Sequence, residues 1–162
     1  MLDLPTDFIQ SCHQLKELHL SQNELERVPQ SVRQSQMLST LNLSSNRLRD
    51  LDHAHLENIA ELTNLQVDNN LLTSLPEPFA KFRNLNILNV ANNSFTEFPP
   101  VICNIISLSE LDLSFNNILS VPMEIGNLVK GYSLEILKVI RDNIVNLIAL
   151  EYQNLLKEKE IN

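Results

Sequence analysis

LKELHLSQNEL, residues 15–25, returns four more times along the chain. The copies are LSTLNLSSNRL at 38–48, LTNLQVDNNLL at 62–72, LNILNVANNSF at 85–95 and LSELDLSFNNI at 108–118. Anchored on Asn23, Asn46, Asn70, Asn93 and Asn116, the copies are spaced 23, 24, 23 and 23 residues apart. A fixed period of roughly 20–50 residues signals stacked supersecondary units. Within each phrase the L-x-L alternation turns two apolar side chains to one side of a short strand. Leu18 and Leu20 then stack on Leu41 and Leu43, Leu65 and Val67, Leu88 and Val90, and Leu111 and Leu113. No unit can bury its apolar side alone, so stacking completes the core. With parallel strands about 4.8 Å apart, six such units would make a sheet roughly 25–30 Å long.

The asparagine has a separate purpose. After the strand the chain turns sharply, leaving backbone N–H and C=O groups inside the stack. A carboxamide both donates and accepts, so it can satisfy them and reach the neighbouring repeat. Asn23, Asn46, Asn70, Asn93 and Asn116 are therefore expected to be structural. The rest of each unit recurs as Val28-Pro29-x-x-Val32, Leu75-Pro76-x-x-Phe79, Phe98-Pro99-x-x-Ile102 and Val121-Pro122-x-x-Ile125. Proline fixes φ and lacks an N–H, which suits an irregular return segment of short turns or helical pieces. The second return departs: Leu51-Asp52 has no proline, and one extra residue precedes Leu56, which explains the 24-residue step.

Leu4-Pro5-x-x-Phe8 reads as the tail of another repeat, so the chain is expected to begin inside a solenoid, as a fragment would. At the other end, omitting Lys130-Gly131-Tyr132 restores the register and reveals a sixth phrase, Leu134-x-x-Leu137-x-Val139-x-x-Asp142-x-Ile144-x-x-Leu147. Residues 148–162 have a helical pattern that would cap the open end or form a tail. A continuous helix from about Ser133 is the competing reading. The expected organisation is a solenoid over 1–147, with a partial first repeat at 2–14, five full repeats over 15–128 and a degenerate sixth at 134–147, then the helical segment.

Composition narrows the function. The formal net charge of −8 disfavours nucleic acid and anionic membrane as direct partners. Two glycines in 162 residues leave no phosphate-cradling loop. No apolar run approaches the roughly 20 residues that span a bilayer, so direct membrane insertion is not expected. Cys12 and Cys103 occupy non-equivalent repeat positions and read as reduced, packed thiols. His53-x-His55 is the one close histidine pair and has no convincing partner cluster. No nucleophile, base or metal-ligand constellation emerges, so neither catalysis, cofactor nor metal is expected.

What remains is surface. The strand positions that alternate with the buried leucines face outward on the concave side. They are Glu17 and His19, Thr40 and Asn42, Asn64, Gln66 and Asp68, Ile87 and Asn89, and Glu110 and Asp112, flanked by Ser21, Ser44, Ala91 and Ser114. None is Lys or Arg. A rigid sheet presets these positions and lowers the ordering cost of binding. They form the candidate partner-binding face, suited to a basic or hydrogen-bonding protein patch, with Ile87 as an apolar anchor. Phe115 adjoins the rim and is expected to pack.

The phrase L-x-x-L-x-L-x-x-N-x-L resembles the leucine-rich repeat. That implies an α/β leucine-rich repeat solenoid, with a short curved parallel β-sheet on the concave side and irregular turns or short helices on the convex side, here with a C-terminal helix. The Leu-Pro-x-x-Ile returns are similar to the intracellular, Ras-associated class. LRDLDHAHLENIAELTNLQVDNNLLTSLP (48–76) and FPPVICNIISLSELDLSFNNILSVPMEIGNLV (98–129) look like the leucine-rich region of fungal adenylate cyclase. In that family the repeats receive Ras-type small GTPases, and a separate domain makes cyclic AMP. The resemblance thus implies a non-catalytic regulatory module in intracellular signalling, cytoplasmic and drawn to a membrane only through a partner. A generic repeat scaffold, or a fragment of an extracellular leucine-rich repeat receptor, is the alternative.

Overall fold

Each copy of the phrase folds into a three-residue strand: β1 (Glu17–His19), β2 (Thr40–Asn42), β3 (Asn64–Gln66), β4 (Ile87–Asn89) and β5 (Glu110–Asp112). The computed structural model describes residues 12–120, together with Pro122 and Ile125. All neighbouring strands pair parallel and in sequence order, giving one open five-stranded sheet. The start of the expected partial repeat, the sixth phrase at 134–147 and the helical segment at 148–162 lie outside the described residues.

Register follows the leucines. Leu18, Leu41, Leu65, Leu88 and Leu111 stand opposite one another across the sheet, and all are buried. Parallel columns of buried apolar residues lie behind them. One runs Leu25, Leu48, Leu72 and Phe95; another runs Leu38, Leu62, Leu85 and Leu108. Phe79 and Phe82 meet edge to face at 4.9 Å between ring centroids, filling the convex layer.

Repeats stay bonded beyond the strands. Gln22, Ser45, Asn69, Asn92 and Phe115, each immediately before an anchoring asparagine, all have left-handed φ between 49° and 58°. That turn aims the N–H groups of Gln22, Ser45, Asn69 and Asn92 at carbonyls of Ser44, Asp68, Ala91 and Ser114 in the following repeat, at 2.8–3.0 Å. The left-handed conformation costs a non-glycine residue about 1–2 kcal/mol. Here Gln22, Ser45, Asn69 and Asn92 each recover an inter-repeat hydrogen bond.

The returns are 3-10 turns: η1 (Gln30–Gln34), η2 (Asp52–Ala54), η3 (Leu56–Asn58), η4 (Glu77–Lys81) and η5 (Pro100–Asn104). Pro29, Pro76 and Pro99 precede η1, η4 and η5 with φ of −56°, −62° and −66°, within the range the pyrrolidine ring imposes. Their carbonyls accept the N–H of Val32, Phe79 and Ile102 at 3.0–3.1 Å, so the missing proline N–H is never needed. The second return, which lacks proline, splits into η2 and η3. His55 joins them at φ 48°, ψ 44° and takes up the extra residue without moving β3 out of register.

Candidate protein-interaction surface

The concave face is built on the asparagine ladder beneath its C-terminal edge. Asn46 Nδ2 donates to the carbonyls of Leu43 in its own repeat and Leu20 in the preceding one, both at 2.9 Å, while Oδ1 accepts the Leu25 N–H at 3.0 Å. Asn70 repeats the pattern with Val67, Leu43 and the Leu48 N–H. Asn93 does so with Val90, Val67 and the Leu72 N–H, and Asn116 with Leu113, Val90 and the Phe95 N–H. Asn23 differs: it is exposed, and its bonds go to Leu20 and Ser21 of its own repeat. Position in the stack accounts for the contrast, because the partners that the other four find in a preceding repeat would for Asn23 fall before residue 12, outside the described residues.

A second column went unpredicted. Ser39 Oγ, Thr63 Oγ1 and Ser109 Oγ donate to the carbonyls of Lys16, Ser39 and Asn86 one repeat back, at 3.0–3.1 Å. The signal was present as a hydroxyl one residue before β2 and β5 and before Asn64 of β3. Together the two columns clamp both ends of β2, β3 and β5.

On this frame the outward side chains alternate with buried leucines as expected. Glu17, His19 and Glu110 are exposed, and Thr40, Asn42, Asn64, Gln66, Asp68, Ile87, Asn89 and Asp112 are half-buried. Several are also used internally. Asn42 Oδ1, Asn89 Oδ1 and Asp112 Oδ1 accept the N–H two residues on, from Ser44, Ala91 and Ser114, at 2.9–3.0 Å. Gln66 Nε2 donates to Asn64 Oδ1 at 2.7 Å. Asp68 gathers three donors: Ser44 Oγ at 2.6 Å, Asn69 Nδ2 at 2.6 Å and Asn89 Nδ2 at 3.1 Å. His19 Nε2 lies 3.4 Å from Glu17 Oε2. The face is thus pre-ordered by its own hydrogen bonds.

Charge is segregated. Lys16, Arg27, Arg33, Arg47, Arg49, Lys81 and Arg83 are the cations among the described residues, and none occupies a concave strand position. Glu110 forms no ion pair among the described residues. Arg47 and Glu24 pair at 3.1 Å on the rim, where exposure leaves the contact worth little. Phe115 was expected to pack; the residue is instead 70% exposed just past the end of β5, on a left-handed backbone. Cys103 is buried and Cys12 half-buried, and they are not bridged to each other. Among the described residues no group of three or more His, Cys, Asp or Glu is placed to hold a metal ion, and no helix is long and apolar enough to cross a membrane.

The family model described as Leucine rich repeat matches residues 1–48 and 60–118. The chain belongs to the leucine-rich repeat family. The unmatched stretch between those blocks contains the second return, the one without proline. Leucine-rich repeats stack into solenoids whose extended concave surfaces serve as binding scaffolds. Over 81 residues, half of this chain, it is 37% identical to an adenylate cyclase of Podospora anserina, of whose length it covers 4%. Among solved structures, a leucine-rich repeat protein of Leptospira interrogans superposes with a TM-score of 0.74 at 35% identity, over 78% of this chain and 32% of that one. The leucine-rich repeat ectodomain of the plant membrane receptor kinase GASSHO1/SCHENGEN3 from Arabidopsis thaliana, in complex with Casparian strip integrity factor 2, superposes with a TM-score of 0.65 at 30% identity, over 78% of this chain and 16% of that one. The chain therefore spans at most about a third of the length of these relatives.

Proposed function

We propose that this chain is a non-catalytic protein-interaction module of intracellular signalling, a regulatory piece similar to the repeats of fungal adenylate cyclase, and that its partner docks on the concave face. The observation that carries this reading is the face itself. Glu17, His19, Thr40, Asn42, Asn64, Gln66, Ile87, Asn89, Glu110 and Asp112 are held in register by one parallel sheet, and Asp68 is held just past β3 by Ser44, Asn69 and Asn89. A surface already ordered in the free protein loses little side-chain and backbone freedom on binding. The ectodomain similar to this chain was solved in complex with a partner, which supports a binding role.

The likeness to the cyclase favours a Ras-type small GTPase as the partner. Binding would place the module in the cytoplasm and bring it to a membrane only through the GTPase. Cyclic AMP synthesis in a parent protein would belong to a separate domain. The test immobilises the full chain and titrates a Ras-type GTPase loaded with a non-hydrolysable GTP analogue or with GDP. Saturable binding of the GTP form alone is expected. Equal binding of both forms, or of neither, defeats the GTPase assignment. Reversing concave charges with Glu17→Lys and Glu110→Lys should weaken the interaction; if affinity is unchanged, the docking face lies elsewhere.

A further inference from the structure

Each repeat hands three backbone donors to the one that follows it. The N–H groups of Leu20, Leu43, Val67 and Val90 donate to the carbonyls of Asn42, Gln66, Asn89 and Asp112, at 2.8–2.9 Å. Those of Gln22, Ser45, Asn69 and Asn92 do the same in the turn. Those of Leu25, Leu48, Leu72 and Phe95 donate to Oδ1 of the next ladder asparagine, at 2.9–3.1 Å. The equivalent donors of the fifth repeat are Leu113, Phe115 and Ile118, and none has an acceptor among the described residues. Ile118 is half-buried where Leu25, Leu48, Leu72 and Phe95 are buried. Two side chains on the same repeat also break the pattern. Phe115 stands where earlier repeats have Gln22, Ser45, Asn69 and Asn92, and Leu119 stands where they have Glu26, Arg49, Thr73 and Thr96. Both are large, apolar and exposed.

The chain carries a complement to this side. Set in the repeat register with Asp142 at the ladder position, the phrase at 134–147 aligns Lys138 with Asp112, Arg141 with Phe115 and Val145 with Leu119. Across parallel strands about 4.8 Å apart, a carboxylate and an aromatic ring each gain a cation, and an exposed leucine gains an aliphatic neighbour. Ile136 falls beside Glu110, as Ile87 does on the other side. We propose that the open side of the fifth repeat is a docking surface for this chain's own residues 134–147, laid on as a sixth coil in parallel register. This goes beyond the proposed use of the concave face and depends neither on it nor on the GTPase assignment.

Backbone chemistry separates this occupant from a helix over the same residues. In the sixth coil the carbonyls of Lys138 and Ile140 take the N–H groups of Leu113 and Phe115, and the Asp142 carboxylate takes that of Ile118. A helix spends its carbonyls internally and leaves all three donors unanswered. Asp142 differs from the asparagines in having no amide to donate. The Leu113 carbonyl keeps Nδ2 of Asn116 at 2.9 Å, but the Val139 carbonyl loses the bond that Asn46, Asn70, Asn93 and Asn116 each make within their own repeat. The sixth coil is therefore held by the accepting half of the ladder alone.

Amide hydrogen exchange on the full chain, followed residue by residue by NMR, tests the docking. Leu113, Phe115 and Ile118 should exchange at least about a hundredfold more slowly than free peptide amides. Leu137→Asp, which puts a charge at an inward position of the sixth coil, should bring those three to within about tenfold of the free rate and leave Leu43 unchanged. Asp142→Asn, which restores the missing donor, should slow them roughly fivefold further. A covalent bridge reports proximity. Leu119→Cys with Val145→Cys should close under oxidised glutathione, and Leu119→Cys with Lys138→Cys should not. Mass spectrometry locates the bond, so Cys12 and Cys103 stay in place. Free exchange at Leu113 and Phe115 in the unsubstituted chain overturns the proposal whether or not the variants fold. Protection indifferent to both Leu137→Asp and Asp142→Asn, or equal closure of the two cysteine pairs, also overturns it. So does a bridge that joins two chains, which assigns this side to a second copy instead.

Discussion

Asn70 satisfies four backbone groups with one side chain: Oδ1 takes the Leu48 N–H, and Nδ2 is shared among the Leu43, Val67 and Asp68 carbonyls. Only a carboxamide has the required donors and acceptor on one short stem. A buried group left unpaired costs about 1–3 kcal/mol. Asn70→Ala should therefore destabilise the protein by about 3 kcal/mol or more in urea denaturation. Asn23→Ala, at an exposed position, should cost less than about 1 kcal/mol. Similar losses at both sites would refute the ladder as the source of stability. Ser35 shows the opposite imbalance. It is buried with no hydrogen-bond partner for Oγ among the described residues, at the position that Ile59, Phe82 and Ile105 fill in later repeats. Removing that hydroxyl with Ser35→Ala should raise stability by about 1 kcal/mol, read as a higher urea midpoint with an unchanged slope.

At the scale of elements, the returns show what spacing alone reveals. The recurrent Val-Pro or Leu-Pro pair announced a short irregular return, and the extra residue before Leu56 announced an irregular one. Neither disclosed the 3-10 geometry, because proline at the N-terminal side of a turn suits several turn types alike. The left-handed residue in each turn was equally hidden. Gln22, Ser45, His55 and Phe115 are not the glycines that usually mark such backbone; at Gln22 and Ser45 an inter-repeat hydrogen bond overrode local preference. The joint between η2 and η3 makes this measurable. His55→Gly should leave the thermal midpoint unchanged or raise it, whereas His55→Val should lower stability by about 1–2 kcal/mol. His55 Nδ1 lies 3.3 Å from Oε1 of the largely buried Glu57 side chain, and both variants lose that contact, so the difference between them reports backbone conformation.

For the molecule as a whole, stability is the sum of units and the joints between them. Leu41, Leu65 and Leu88 have a strand on either side, while β1 and β5 each have one among the described residues. Native-state hydrogen exchange should accordingly find the amides of Leu43 and Val67 slower than that of Leu20, with protection declining from the middle of the sheet. Uniform protection would mean a single cooperative core. The sheet, its order and its inward columns were readable because a two-residue alternation inside a 23-residue period admits few other folds. The outward face was readable by the same alternation. Its hydrogen-bond network was not, since Asp68 meets Ser44 and Asn89 across repeats 24 and 21 residues away. Nor does periodicity name a partner, because it constrains the residues that repeat, and recognition depends on those that do not.

The split return around His55 shows that this architecture absorbs a change of chain length on its outer curve while the inner sheet keeps its alignment. A reporter or affinity handle spliced between Asp52 and His53, both exposed, should ride outside the arc, leaving the opposite surface clear for a visiting protein. The same tolerance gives natural variation a place to lengthen one coil of the spring without unwinding its neighbours.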